Sequence, residues 1–294
     1  MRRYITTLLL LLILHQTAVS QVMDQELLDP NGTVTLLGKS SYKRLKEAPF
    51  KDWFVKNEES YVAEVDVTRK LKKKLNSIDS ITIFMGTWCG DSKREVPRLT
   101  RTLQEAGFDF EKVNIICLDR RFNFYKQSPQ HEESGLNIHR VPTILLHKGG
   151  EELGRIIEHP VATIEEDLLA ISDGNYTGNY PLAHRMDEIL AEDGYQQLLA
   201  QKDDYLKELK PLADKSSELT TYARTLLTTW RIPESVAVLE FNQQLFPESE
   251  YAHLHLASTY LMLGKKTEAT ACCQKALAIN PDSQAARGMM EKME

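Results

Sequence analysis

Residues 80–107 read SITIFMGTWCGDSKREVPRLTRTLQEAG, and this stretch decides the fold of the chain. Its first eight residues are mainly apolar and rich in β-branched types, which predicts a short buried strand. From Asp91 onward, Val96, Leu99 and Leu103 recur at helical spacing, and Gly107 supplies a C-cap. The stretch therefore predicts a strand, a tight turn and a helix.

Cys89 lies where the predicted helix begins, a position that favours an anion. Free N–H groups and the helix dipole stabilise a thiolate there, and the thiolate is the reactive form of cysteine. Asp91 opposes ionisation of Cys89, whereas Lys93 and Arg94 partly offset that charge. The hydroxyl of Ser92, one turn along, is expected to donate a hydrogen bond to the thiolate. The sequence thus predicts a nucleophilic Cys89 assisted by Ser92.

The segments downstream extend this unit into an α/β domain. Residues 112–119 predict a second buried strand, residues 134–157 predict two strands joined by the turn KGGE, and residues 162–174 predict a closing helix. The order indicates a mixed β-sheet flanked by helices over residues 62–176. We assign no function to the N-terminal extension at residues 21–61.

Two motifs of this domain resemble thioredoxin. WCGDSK (88–93) is similar to the WCGPCK of that family, and GLNIHRVPTILLHKGGE (135–151) is similar to the segment around its cis-proline and β-hairpin. The resemblance implies a thioredoxin-like fold, with Cys89 as the nucleophile and a cis bond between Val141 and Pro142. It also implies that the Val141 backbone pairs with an extended substrate segment. The implied substrate-binding residues are Trp88, Val141, Pro142 and Thr143.

The chain departs from that family at two positions. Ser92 replaces the second motif cysteine, which resolves the mixed disulfide in a dithiol enzyme. Ile83 stands where thioredoxins usually carry a buried acid that helps to transfer protons. Cys89 is therefore expected to act as a single thiol that depends on an external thiol reductant. Cys117, near the end of its strand, stays open as an internal resolving thiol, although an apolar strand favours a small buried packing residue there.

From residue 185 the pattern is helical throughout. Pro247 and Pro281 lie 34 residues apart (281 minus 247) and end matching phrases. The segment between them resembles a tetratricopeptide (TPR) repeat, a helix-turn-helix unit of about 34 residues. We predict TPR-like helical repeats with a capping helix over residues 185–294, which dock a protein partner, and a linker at residues 177–184. Cys272 and Cys273 are expected to pack inside the repeat helices.

The N-terminus and the composition limit the location and the partners. Arg2 and Arg3, the apolar core ITTLLLLLIL (5–14) and the small residues of AVS (18–20) have the layout of a secretory signal peptide. Cleavage after Ser20 is expected to give a periplasmic or secreted protein that no membrane holds. A net charge of −6 gives no basis for nucleic-acid binding. No nucleotide, phosphate or metal motif predicts a cofactor.

Two functions of different classes fit these patterns. The first is a thiol–disulfide oxidoreductase or isomerase that acts through Cys89 on protein thiols or disulfides. The second is a non-catalytic interaction or scaffold protein with a degenerate thioredoxin fold. Trp88, Cys89 and Pro142 favour the enzyme, whereas Ser92 and Ile83 favour the scaffold. We favour the enzyme, because an exposed reactive thiol without a function would be an oxidation liability.

Overall fold

A computed structural model describes residues 22–29 and 31–293, so the predicted signal peptide at residues 1–20 lies outside the described residues. A mixed β-sheet with flanking helices comes first, and an all-helical region follows. Both of these coarse features agree with the sequence prediction. No helix in the described part of the chain is long and apolar enough to cross a membrane.

Six strands form one sheet: β1 (Gln25–Leu28), β2 (Val34–Ser40), β3 (Ser80–Met85), β4 (Val113–Cys117), β5 (Thr143–Lys148) and β6 (Glu151–Ile157). Their spatial order is β1-β2-β4-β3-β5-β6. Strands β3 and β4 pair in parallel, and the other neighbouring pairs are antiparallel. β3 lies between β4 and β5 and is largely buried, as its apolar run predicts.

Five helices share a core with one face of this sheet: α1 (Tyr42–Leu45), α2 (Lys51–Ser60), α3 (Val65–Leu75), α4 (Gly90–Ala106) and α5 (Ile164–Asp173). Helix α4 follows β3 and buries Val96, Leu99 and Leu103 completely. It ends at Gly107, whose φ of 69° closes the helix in the left-handed conformation that glycine tolerates best. The predicted strand–turn–helix is therefore present.

The N-terminal segment, set apart in the sequence as an extension, is part of the α/β domain. β2 pairs with β4 (Lys39 opposite Ile116), so it covers an edge of the sheet that would otherwise be open. Leu36 and Phe54 are buried in the same core as β3 and α4. These strands and helices thus complete the sheet and its core.

Eight helices make up the second region: α6 (Pro181–Glu192), α7 (Gly194–Ala200), α8 (Lys202–Leu209), α9 (Ser216–Thr228), α10 (Ile232–Leu245), α11 (Glu250–Met262), α12 (Lys266–Ile279) and α13 (Gln284–Glu291). α9–α10 and α11–α12 form antiparallel pairs, and α13 covers α12. α6 begins four residues before the predicted start at residue 185 (185 minus 181), because Pro181 suits the first turn of a helix.

Small side chains allow close packing between the paired helices. Ala257 on α11 and Ala269 and Ala276 on α12 are fully buried. Cys273 is also fully buried, and Cys272 is 5 % exposed. Both cysteines belong to the apolar core of the helical region. Their environment fits the packing role predicted for them.

Direct hydrogen bonds connect the two regions. The Gln127 side chain donates from Nε2 to the Thr228 carbonyl over 2.8 Å, and the Thr228 hydroxyl lies 3.5 Å from the Tyr125 carbonyl. Arg140 also donates to Ser217 and Thr221 at the start of α9, each over 3.4 Å. The loop between β4 and β5 therefore lies against α9, and this contact positions the helical region next to the site described below.

Candidate thiol site

Cys89 is the N-cap residue of α4 and is partly exposed. Its neighbours in the turn, Gly86 and Thr87, are buried, so the turn holds the cysteine at the surface end of the strand–helix junction. The other three cysteines of the chain are buried and free. Cys89 is therefore the most accessible of the four cysteines.

The Cys89 thiol contacts the loop that precedes β5. The Cys89 Sγ donates to the Val141 carbonyl over 3.2 Å. The bond between Val141 and Pro142 is cis, as the resemblance implies. Thr143 supports the loop, because its hydroxyl donates to the Arg140 carbonyl over 2.7 Å. The structure thus brings Cys89 together with Val141, Pro142 and Thr143, although the side chains of these three loop residues are buried.

Trp88 closes one side of the site. Its Nε1 donates to the Leu118 carbonyl over 2.8 Å, which ties the turn to the end of β4. A Cβ at Gly86 would lie 2.5 Å from the Trp88 ring, so only glycine leaves room for the indole there. The ring therefore has a defined position beside Cys89 and a partly exposed surface.

The two positions that depart from the thioredoxin pattern are structural here. Ser92 is fully buried, and its Oγ accepts from the Gly86 N–H over 3.2 Å. The sequence predicts a hydrogen bond from Ser92 to Cys89, but the contacts observed pair Ser92 with Gly86 and the thiol with Val141. Ile83 is fully buried in the apolar core, so this position supplies no proton donor.

The N-terminal segment supports the site through two hydrogen bonds, a role that the sequence did not predict. The Leu36 N–H on β2 donates to the Thr87 hydroxyl over 3.1 Å. Asn57 on α2 donates from Nδ2 to the Lys93 carbonyl over 2.8 Å, which fixes the first turn of α4. The sequence around β2 does not indicate this role, because the strand that β2 pairs with, β4, lies far along the chain.

Cys117 lies on the sheet face opposite the Cys89 cluster. Successive strand residues point to opposite faces, and Ile116 packs with Val141 and Cys89 whereas Cys117 packs in the helix-covered core. Burial raises the pKa of the Cys117 thiol to about 12, although a hydrogen bond with Ser40 lowers it in part. These properties suit a packing residue and make Cys117 a poor resolving thiol.

A buried lysine lies close to the site, and the sequence analysis missed it. Lys126 is 4 % exposed, its Nζ donates to the His139 carbonyl, and it stacks 4.6 Å from the Tyr125 ring centre. Burial lowers the pKa of Lys126 to about 7; Arg140 and Arg224 lower it further, while Glu158 and Cys89 oppose the shift. The bond to His139 ties Lys126 to the loop before β5, two residues before Val141.

We expect Lys126 to make stability depend on pH. Its pKa is about 7 in the folded protein and 10.5 when unperturbed, so between these values the unfolded chain binds more protons. Its contribution to stability should therefore rise by about 2 kcal/mol from about pH 7.5 to about pH 9. Urea unfolding of the wild type and Lys126→Met at several pH values checks this, since the variant has no titratable group at position 126. Parallel pH profiles of the two proteins would contradict the assignment.

Among the described residues, no group of three or more histidine, cysteine or carboxylate side chains could hold a metal ion.

Residues 250–283 match the sequence model of the tetratricopeptide repeat, and they coincide with α11, α12 and the turn that follows. No curated protein sequence gives a significant match to the chain. The repeat supports a role in protein–protein interaction.

Proposed function

We propose that this protein is an exported thioredoxin-like thiol–disulfide oxidoreductase or isomerase in which Cys89 acts alone. The observation that carries this proposal is the geometry at Cys89, a partly exposed thiol at the N-terminus of α4 that donates to the Val141 carbonyl. The Val141 carbonyl accepts the S–H of the resting thiol and holds the sulfur beside the cis-proline loop. Localisation outside the cytoplasm follows from the predicted signal peptide.

The reaction proceeds by thiol–disulfide exchange. The Cys89 thiolate attacks one sulfur of a client disulfide; a bond forms between the two sulfurs, and the other client sulfur leaves as a thiolate with the electron pair. A second thiolate, from the client or from an external reductant, then attacks the mixed disulfide and releases Cys89. Ser92 cannot perform this second step, and buried Cys117 is on the wrong face of the sheet.

The helical repeats bind the protein partner in this proposal. α9 contacts the loop that carries Arg140, so a client held on the repeats is close to the thiol. The matched repeat, α11–α12, follows the pair α9–α10 and the helices α6–α8, so the region has the size that such arrays need. Exchange at Cys89 and docking on the repeats are then two steps on the same client.

A scaffold function is the second candidate. It is favoured by Ser92 and Ile83, which stand in place of the second thiol and the buried acid of the thioredoxin pattern. In that case the repeats bind partners, and Cys89 has no substrate. The two candidates differ in whether Cys89 is required for any activity on disulfides.

A peptide dimer joined by one disulfide, with fluorescence that increases on cleavage, tests the proposal in the presence of a small thiol. The mature wild type is expected to accelerate cleavage, and Cys89→Ser is expected to lose the acceleration. Cys117→Ala is the matched control and should change the rate by less than about twofold. Equal rates for the wild type and Cys89→Ser would leave the scaffold function.

A further inference from the structure

Arg224 lies on α9 and faces the α/β domain. Its guanidinium stacks on the Tyr125 ring, 3.7 Å from the ring centre, and lies 5.7 Å from the centre of the Phe122 ring. Both aromatic residues belong to the loop between β4 and β5. A residue of the helical region therefore packs on the loop that connects β4 to β5.

The contacts of the Arg224 guanidinium are with aromatic rings. No carboxylate in the described ranges lies within ion-pair distance of it, and its buried Nε donates to no hydrogen-bond acceptor there. Arg140, by contrast, is paired with both oxygens of Glu158, at 2.8 and 3.0 Å. Stacking on aromatic rings holds the guanidinium in place but leaves its charge and its donors available.

Arg140 links Arg224 to the loop that contacts the thiol. It precedes Val141, whose carbonyl accepts from Cys89, and its guanidinium contacts Thr221, which lies one turn before Arg224 on α9. Arg140 is already paired with Glu158, whereas the guanidinium of Arg224 keeps its donors for a ligand.

We propose that Arg224 forms an anion subsite that selects thiols and disulfides carrying a carboxylate next to the reacting sulfur. This inference rests on the proposed function of Cys89 and names its substrate class. A forked guanidinium suits a carboxylate, which accepts two parallel N–H bonds. A neighbouring acidic side chain in a client, or the carboxylate of a small thiol, supplies this group.

The exchange step itself favours such a substrate. When the Cys89 thiolate attacks a disulfide, its negative charge passes to the departing sulfur, and the new disulfide is neutral. The positive charge of Arg224 is then no longer offset by the thiolate. An adduct with a carboxylate restores the balance, whereas a neutral adduct does not. The subsite thus stabilises the mixed disulfide of anionic substrates.

Two small disulfides of opposite character test the subsite, and both release a coloured thiol. One is dianionic 5,5′-dithiobis(2-nitrobenzoate) and the other is neutral 4,4′-dithiodipyridine. Arg224→Gln is expected to slow the anionic probe about tenfold and the neutral probe by less than about twofold. Arg231→Gln removes the same charge from a residue paired with Glu234 and is the matched control. Arg224→Lys keeps the charge without the fork and should lie between the wild type and Arg224→Gln.

A change in the ratio of the two rates separates the subsite from other effects. Equal slowing of both probes, or no slowing, in folded Arg224→Gln overturns the subsite. The proposed function is judged separately, because it requires that the wild type react with the neutral probe and that Cys89→Ser does not. Peptide disulfides with Asp or Asn beside the cysteine identify the source of the anion. A preference for Asp that Arg224→Gln abolishes assigns it to a client segment, and equal rates assign it to a small thiol.

Discussion

Replacing Phe54 with alanine is expected to lower the free energy of unfolding of the α/β domain by about 3–5 kcal/mol. Phe54 is fully buried on α2, and its ring contacts those of Tyr42 and Trp53 with centres 5.8 and 5.6 Å away. The deletion leaves a cavity in the core that also holds β3 and α4. A loss of this size is large, because a domain is stable by only about 5–15 kcal/mol in total.

Urea unfolding followed by tryptophan fluorescence measures this loss in the full chain. A Trp230→Phe background removes the one tryptophan of the helical region, which is 85 % exposed, so Trp53 and Trp88 report on the α/β domain. Val62→Ala is the matched control in the same part of the sequence, since Val62 is 83 % exposed and should change stability by less than about 0.5 kcal/mol. A loss below about 1 kcal/mol for Phe54→Ala would show that the N-terminal segment is peripheral.

Replacing Ser92 with cysteine is expected to convert the single-thiol site into one that resolves its own mixed disulfide. Residues 89 and 92 lie one helical turn apart on the same face of α4. In the wild type, 5,5′-dithiobis(2-nitrobenzoate) should release about one coloured thiolate per chain and leave an adduct on Cys89. In Ser92→Cys, the second thiol attacks this adduct, so release should double to about two per chain and no adduct should remain.

Absorbance gives the number of thiolates released, and intact mass spectrometry detects the adduct. Ser92→Ala is the matched control, because it removes the hydroxyl and adds no thiol, and it should retain one release and the adduct. The buried Cys117, Cys272 and Cys273 should stay unreacted in the folded protein. Two thiolates released by the wild type itself would sink the single-thiol proposal, since another cysteine would then resolve the adduct.

The parts of the fold that the sequence predicts follow from local patterns. The strand, turn and helix around Cys89 follow from an apolar run, a helical repeat of apolar residues and a glycine cap, which are all short-range signals. The helical repeats follow from spacing and small residues such as Ala257. The two N-terminal strands escaped prediction, because β1 is short and largely exposed and the partner of β2 is β4, far along the chain.

Part of the candidate site was also predictable from local patterns. Cys89, Trp88 and the Val141–Pro142 loop were found from motifs, and the structure brings them together. Lys126 and Arg224 were not found, since a lysine in a loop and an arginine on a helix usually lie in solvent. Their proximity depends on the packing of α9 against the loop between β4 and β5, which no local pattern encodes.

The hydrogen bonds from Gln127 to Thr228 and from Arg140 to α9 fix the distance between the docking surface and the thiol. Under the proposed function, a client bound to the repeats presents to Cys89 only those cysteines that its chain can bring across that distance. Residues close to the docked segment cannot reach, and residues far along a flexible chain reach with a low effective concentration. In that proposal, the spacing between docking segment and cysteine becomes a property by which clients are selected, independent of the residues around the disulfide.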